Sequence, residues 1–412
     1  MPPIIVFAGL VSALSLAEAP WPQFRGPNGA GHAEASCQPP VEWSETKNVC
    51  WKTAIHDKGW SSPVIWGNQI WLTTAKADGK AQFVLCLDQE TGKVLLDRKL
   101  WDIEKPAFIN PMNTYASPTC ALEEGRVYVH FGSYGTVCID TRSFETLWTR
   151  RDLPCDHFRG PASSPIIWKD RLFVHFDGFD YQYVVALDKK TGQTLWRRDR
   201  EVDFGTTDGD FKKAYGTPTV IEVNGRSELI CPAAVWTQAF DPESGKGLWR
   251  VKHGGINVAA PPLFGHGLLF LETGWSGERL VAVKPGGSGD VTATHIVWRN
   301  KQGVPTRASH ILVDDLLYFS SDKGVVTCVD AKTGETVWQE RIGGEFSASP
   351  VYAGGHLYFF SQDGPITVLK PGRKFVKVAV NTLDEGCMAS PAVVGNALYV
   401  RTVTHLYRLE AK

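Results

Sequence analysis

Short apolar runs broken by Gly, Asn or Asp set the rhythm of this chain. WSSPVIWGNQIWL at 60–72 gives one run, a turn and a second alternating run, the pattern of a β-hairpin. Seven further segments repeat it, at 115–129, 163–174, 215–230, 259–270, 307–319, 347–359 and 388–400. The eight starts lie 40 to 55 residues apart, and self-similarity at such a period marks a repeat architecture. Nothing in the pattern is helical.

Most copies carry a second half. It reads LCLDQETGKVLL (85–96), VCIDTRSFETLW (137–148), VALDKKTGQTLW (185–196), QAFDPESGKGLW (238–249) and TCVDAKTGETVW (327–338), with a looser version at 281–287 followed by Trp298. Each repeat then holds four strands, the content of one propeller blade. The Asp ends the third strand, where its carboxylate can cap turn N–H groups. Gly92, Gly192, Gly245 and Gly334 stand where the loop wants positive φ, and Phe144 takes that place in the second copy. Trp148, Trp196, Trp249, Trp298 and Trp338 open fourth strands, and a small Cys or Ala two residues before the Asp leaves room for the indole. These five tryptophans are expected to staple neighbouring blades. The eighth copy ends at Lys412 without its Trp strand, and NVCWKTAI (48–55) is the matching piece. The predicted fold is all-β: a single eight-bladed β-propeller of four-stranded antiparallel blades over 41–412, its ring closed by an N-terminal strand.

The remaining N-terminus divides in two. The apolar run Ile4 to Leu16 has the length of a signal-peptide core and is too short to span a bilayer. Residues 1–19 are read as a signal peptide cut after Ala19 or Ala17, and 20–40 as an N-terminal arm. No Cys follows the apolar run, which argues against a lipid anchor, and no later stretch is long and apolar enough to span a membrane. Export to the periplasm or cell envelope follows. A net charge of −1 supplies no basic field for nucleic acid.

The alternation of SP-hhh-G-hY with hhxD-x-x-T-G-x-x-x-W resembles the quinoprotein-type (PQQ-like) propeller repeats, over about 41 to 412. Two branches bear on function. In quinoprotein alcohol dehydrogenases the quinone PQQ and Ca²⁺ sit on the propeller axis, and the BamB-like group are non-enzymatic scaffolds of outer-membrane protein assembly. The blocks WPQFRGPNGAG (21–31), GPASSP (160–165) and TVTHLYRL (402–409) look most like exported propellers of planctomycetes. The chain lacks the vicinal Cys-Cys pair typical of the dehydrogenases and any C-x-x-C-H haem site.

Of nine cysteines, Cys86, Cys138 and Cys328 share a position with alanines and read as small core residues. Cys37 and Cys50 are close enough in sequence to clip the arm. No spacing matches a zinc site, so no metal ligands are assigned.

Chemistry falls to the long loops of the first five copies, which adjacent blades would bring together. The candidate ligand-binding residues are Asn113, Tyr115, His157, Arg159, His175, Asp177, Asp180, Lys213 and Tyr215. His157 is a candidate base, Arg159 suits a carboxylate or phosphate, and Asp177 and Asp180 could hold Ca²⁺ or cap loop amides. Trp236 and Trp275 are read as buried plates before stacking platforms, and Asn257, Arg307, Arg401 and His405 rank lower. No residue is assigned as catalytic. The expected function is a monomeric binding or scaffold module for a protein, small ligand or glycan at the mouth. The alternative is a PQQ- and Ca²⁺-dependent dehydrogenase or a polysaccharide-acting enzyme.

Overall fold

The computed structural model describes residues 18–411; the predicted leader therefore falls almost wholly outside the described residues. Eight antiparallel sheets form the blades of a β-propeller. In the third blade the strands run Ile166–Trp168, Arg171–Asp177, Gln182–Asp188 and Thr194–Asp199, paired in that order from the axis outward. The two middle strands are buried almost throughout, the first is half-buried and the fourth is largely exposed. Blades packed face to face bury both sides of their inner strands and leave only the outer edge to water.

The last blade joins the two ends of the chain. Ala392–Val394, Ala397–Arg401 and His405–Glu410 supply three strands, and Val49–Ala54 pairs antiparallel with the third, Ala54 opposite His405. The fourth blade gains a fifth, two-residue strand, Gly289–Asp290, from the long insertion of the fifth repeat.

The repeated D-x-x-T-G turn works locally. Asp188 Oδ1 accepts from the N–H of Lys190 and of Thr191 and from the Thr191 hydroxyl, at 2.8–2.9 Å. Gly192, at φ 72°, returns its N–H to the Asp188 carbonyl. Each tryptophan faces the small residue across the ladder: Trp148 opposite Cys138, Trp196 opposite Ala186 and Trp338 opposite Cys328, each eight residues after the Asp, and Trp298 opposite Ala282 in the looser copy. The indole then reaches into the next blade. Trp148 Nε1 donates to Lys189 O at 3.1 Å, Trp196 to Pro242 O at 3.2 Å, Trp298 to Ala331 O and Trp338 to Gly372 O at 3.0 Å. Trp51, on the N-terminal strand, does the same to Gln89 O at 3.1 Å. Trp249 differs: its indole donates to Glu228 Oε2 within its own blade. The insertion at 284–295 replaces the next blade's turn, and Gly289 lies alongside Trp249 instead.

All nine cysteines are free thiols, so Cys37 and Cys50 do not clip the arm; Cys37 is buried while Cys50 lies on the exposed edge strand. The arm is held without them. Trp21 exchanges backbone bonds with Ile65 in the first blade, and Leu122 N–H of the second donates to Pro22 O. Arg25, fully buried, donates to His310 O at 2.9 Å and Pro350 O at 3.4 Å in the sixth and seventh blades. Gly31 O and Ala33 N–H bond to Tyr352. The arm thus crosses one end of the axis, and Phe24 is part of the channel wall there. Among the described residues no helix is long and apolar enough to cross a membrane.

Candidate functional site

The other end of the axis is open. Just before each inner strand the chain is extended, so alternate side chains point inward. One residue per blade lines the mouth: Trp60, Ser117, Ala162, Tyr215, Ala259, Arg307, Ser347 and Met388. Two residues further on comes a layer of hydroxyls. Ser62 N–H donates to Thr119 Oγ1 and Thr119 N–H to Ser164 Oγ, both at 2.9 Å, and Ser164 N–H to Thr217 Oγ1 at 3.1 Å. Ser309, Ser349 and Ser390 form a second arc in the same way. Pro261 interrupts the series in the fifth blade.

Long loops add Asn110, Met112, Asn113, Arg159, Asn257, Trp275 and Thr306 around a cavity of about 250 Å³. The loops are stiffened by their own polar groups. Arg159 grips Asp210 with two bonds, 2.8 and 3.2 Å. Lys213 Nζ bonds the same Asp210, through both its carboxylate and its backbone carbonyl at 2.9 Å, beneath the Phe158 ring. Burial brings the Lys213 ammonium down to about 8, helped by Arg159. Asn113 donates to Arg159 O at 2.9 Å and accepts from Thr114 N–H at 2.8 Å.

The nine candidate residues separate into three groups. Asn113, Arg159 and Tyr215 line the mouth. Lys213 lies buried behind Arg159. The other five do not reach the cavity. Tyr115 is buried against Tyr134, its hydroxyl donating to Ala107 O at 2.7 Å. His157 Nε2 accepts from Ser133 N–H at 3.0 Å, and burial draws its imidazole down to about 4, so it is a neutral loop anchor. His175 is sealed beside Gly216 O, driven well below its ordinary value first by burial and then by Arg200. Burial pushes the Asp177 carboxyl up, and Arg200, bonded to it at 2.5 and 2.8 Å, opposes this. Asp180 accepts from the N–H groups of Asp156 and Tyr181, both at 2.7 Å.

Among the lower-ranked residues, Asn257, Arg307 and Trp275 do line the cavity, and Trp275 is 58% exposed, not a buried plate. Trp236 is buried, its indole bonded to Asp203 O at 2.8 Å. Arg401 is sealed between the last and first blades, donating to Ser61 O and Thr73 O. His405 bonds Thr404 away from the axis. Trp60, Met112 and Met388 were not anticipated. Trp60 and Met388 share a signal, because the first position of the small-residue–Pro motif faces the axis in most copies and sets Trp60, Ala162, Tyr215, Arg307, Ser347 and Met388 at one register. The second copy departs, with Tyr115 buried and Ser117 at the mouth, and Met112 comes from a loop outside the motif.

The lining carries no Asp or Glu, and among the described residues no group of three His, Cys, Asp or Glu is arranged to hold a metal. Ca²⁺ takes several oxygen ligands including carboxylates, so this mouth does not fit a Ca²⁺–quinone pair.

Comparison with known proteins gives the same fold from two directions. BamB from Moraxella catarrhalis superposes with a TM-score of 0.60, 13% identical, over 88% of this chain and 99% of that one. A europium-containing methanol dehydrogenase gives a TM-score of 0.68, 13% identical, over 94% and 90%. At these identities the likeness speaks for the fold alone. The 1-butanol dehydrogenase (quinone) of Thauera butanivorans is 32% identical over 145 residues, which is 31% of this chain and only 22% of that protein. The family described as outer membrane protein assembly factor BamB matches residues 44–235 and 233–400. With nearly the whole propeller matched, the chain belongs to that BamB family.

Proposed function

We propose that this chain is an exported, non-catalytic binding and scaffold module of the cell envelope that docks a protein partner on its mouth face. One contrast carries the reading: ionisable side chains around the mouth are largely spent on one another, while apolar ones stand exposed. Asp210 is consumed by Arg159 and Lys213, Asp177 by Arg200, and Asp180 by loop amides. His157, the candidate base, and His175 are buried and neutral. Phe108 and Trp275 are 63% and 58% exposed, and Phe158 bridges Phe108 and Phe179 at centroid distances of 5.9 and 5.3 Å. An exposed aromatic ridge on rigid loops is the composition of a protein-docking surface. The long loops lie on one half of the face, so the ridge is lopsided in a way that an axial ligand site alone would not require.

The alternative, a PQQ- and Ca²⁺-dependent dehydrogenase, draws on the butanol dehydrogenase match, and the carboxylate-free lining counts against it. The test is a photoreactive residue at position 179 in producing cells. A discrete crosslinked species that disappears with Phe158→Asp supports docking. Dye reduction that depends on added quinone and Ca²⁺, with no such species, overturns it.

A further inference from the structure

Three residues of the mouth wall each carry a buried polar atom with no hydrogen-bond partner among the described residues: Arg307 Nε, the Tyr215 hydroxyl and Asn257 Oδ1. Buried polar groups are nearly always paired, so three orphans within the wall of one cavity mark a place that a ligand would complete. Two of the three are donors, and the third belongs to an amide that carries both a donor and an acceptor. The Arg307 guanidinium reaches only the Met112 sulfur, at 3.5 Å, whereas Arg159 and Arg200 hold carboxylates. Burial raises the Tyr215 phenol above its ordinary value, so it remains an O–H donor at neutral pH. The Asn257 amide presents either its N–H₂ or its oxygen on rotation. Its backbone is fixed at φ 54° and by the bond from its N–H to Lys213 O. No carboxylate shares the lining to repel an anion.

The walls are apolar and adaptable. Trp60 and Trp275 stand with Met112 and Met388, and the chain has only three methionines; the flexible thioether moulds itself to small hydrophobes. A cavity of about 250 Å³ lies below the range of drug-sized pockets, so the occupant is the size of one amino-acid residue.

We infer that this cavity binds a single carboxylate joined to a compact apolar group, with Arg307 taking the carboxylate and Tyr215 and Asn257 completing its hydrogen bonds. The inference rests on the reading of the mouth as a binding surface and names what enters its centre. The carboxylate can come from a free small acid or from the C-terminus of a polypeptide.

Calorimetry on the purified full chain decides. The probes are 3-phenylpropanoate against 3-phenylpropanamide, and Ala-Ala-Phe with a free against an amidated C-terminus. Each acid is expected to bind at least about tenfold more tightly than its amide, the loss of one charge-assisted contact. Arg307→Gln should reduce the acid to the level of the amide, Arg307→Lys should keep part of the preference, and Tyr215→Phe should weaken the acid about threefold. A tighter tripeptide points to a chain end, and parity points to a free acid. Amides binding as well as acids, or no heat from any probe at millimolar concentration, overturns the inference. A ridge-dependent crosslink without carboxylate binding sinks this inference alone, and carboxylate binding without the crosslink sinks only the docking reading.

Discussion

The indole of Trp148 lies flat on Gly192 of the following blade. A Cβ built on that glycine would stand 2.7 Å from the ring, and Gly192 also holds φ at 72°. Gly192→Ala therefore meets two penalties, overlap with a ring fixed from behind by Cys138 and a left-handed backbone. The expected loss is about 1–3 kcal/mol. It is measured as a fall in the urea midpoint, and an unchanged midpoint would mean that the Trp–Gly contact carries no stability.

One interface reverses the arrangement. Leu96 stands opposite Cys86, where the repeat calls for a tryptophan, and the next turn carries Phe144 at φ 62° where it calls for glycine. Both pack against one buried cluster, with the Phe144 ring 5.8 Å from that of Trp71. The aromatic mass has moved from strand to turn. Leu96→Trp alone should overpack by about 1–3 kcal/mol and Phe144→Gly alone should leave a cavity of similar cost. The double variant should recover most of both losses. Additive losses, with a coupling below about 0.5 kcal/mol, would show that the two positions are independent.

These repeated positions were readable because their roles are local. An Asp, a Gly four residues on and a Trp eight residues on span one turn and the strand that leaves it, and several copies of the motif expose its logic. The mouth was harder. His157, His175 and Asp177 carry reactive chemistry, yet the fold uses that chemistry up internally. Trp60, Met112 and Met388 carry no chemical signal; the shared register of the motif's first position places Trp60 and Met388, and Met112 arrives on a loop that the motif does not register. The fate of Trp249 could not be read either, because it depends on an insertion one repeat downstream.

The arm offers a separate test. Arg25 sends its guanidinium to the carbonyls of Gly29, Ala30, His310 and Pro350, and burial lowers it to about 9. Arg25→Ala strips the donor from several buried carbonyls at once, a loss of about 2–4 kcal/mol. The arm should also become sensitive to limited proteolysis between residues 25 and 33 while the blades stay resistant. Equal protection of the arm in the variant would show that Trp21 and Tyr352 hold it unaided.

Acid should unfold this protein early. Burial draws His130 and His310 from 6.5 down to about 3, and His157 and His253 down to about 4, while His175 lies well below its ordinary value. Each folded pKa is depressed, so the unfolded chain takes up protons as pH falls through 6.5 while the folded chain does not until about 4 or below. The stability tied to these groups is complete above pH 6.5 and is lost as pH drops toward 4. Five such groups give a slope on the order of 5 kcal/mol per pH unit near pH 5. The urea midpoint should be level from pH 8 to 7 and then collapse between pH 6 and 4.5, with an uptake of about five protons on unfolding. His157→Gln keeps an acceptor for Ser133 N–H and removes one titrating group, so the uptake should fall by about one proton. A midpoint that stays level to pH 5 would mean that these histidines are protonated in the folded state, and their sealed, neutral reading would be wrong.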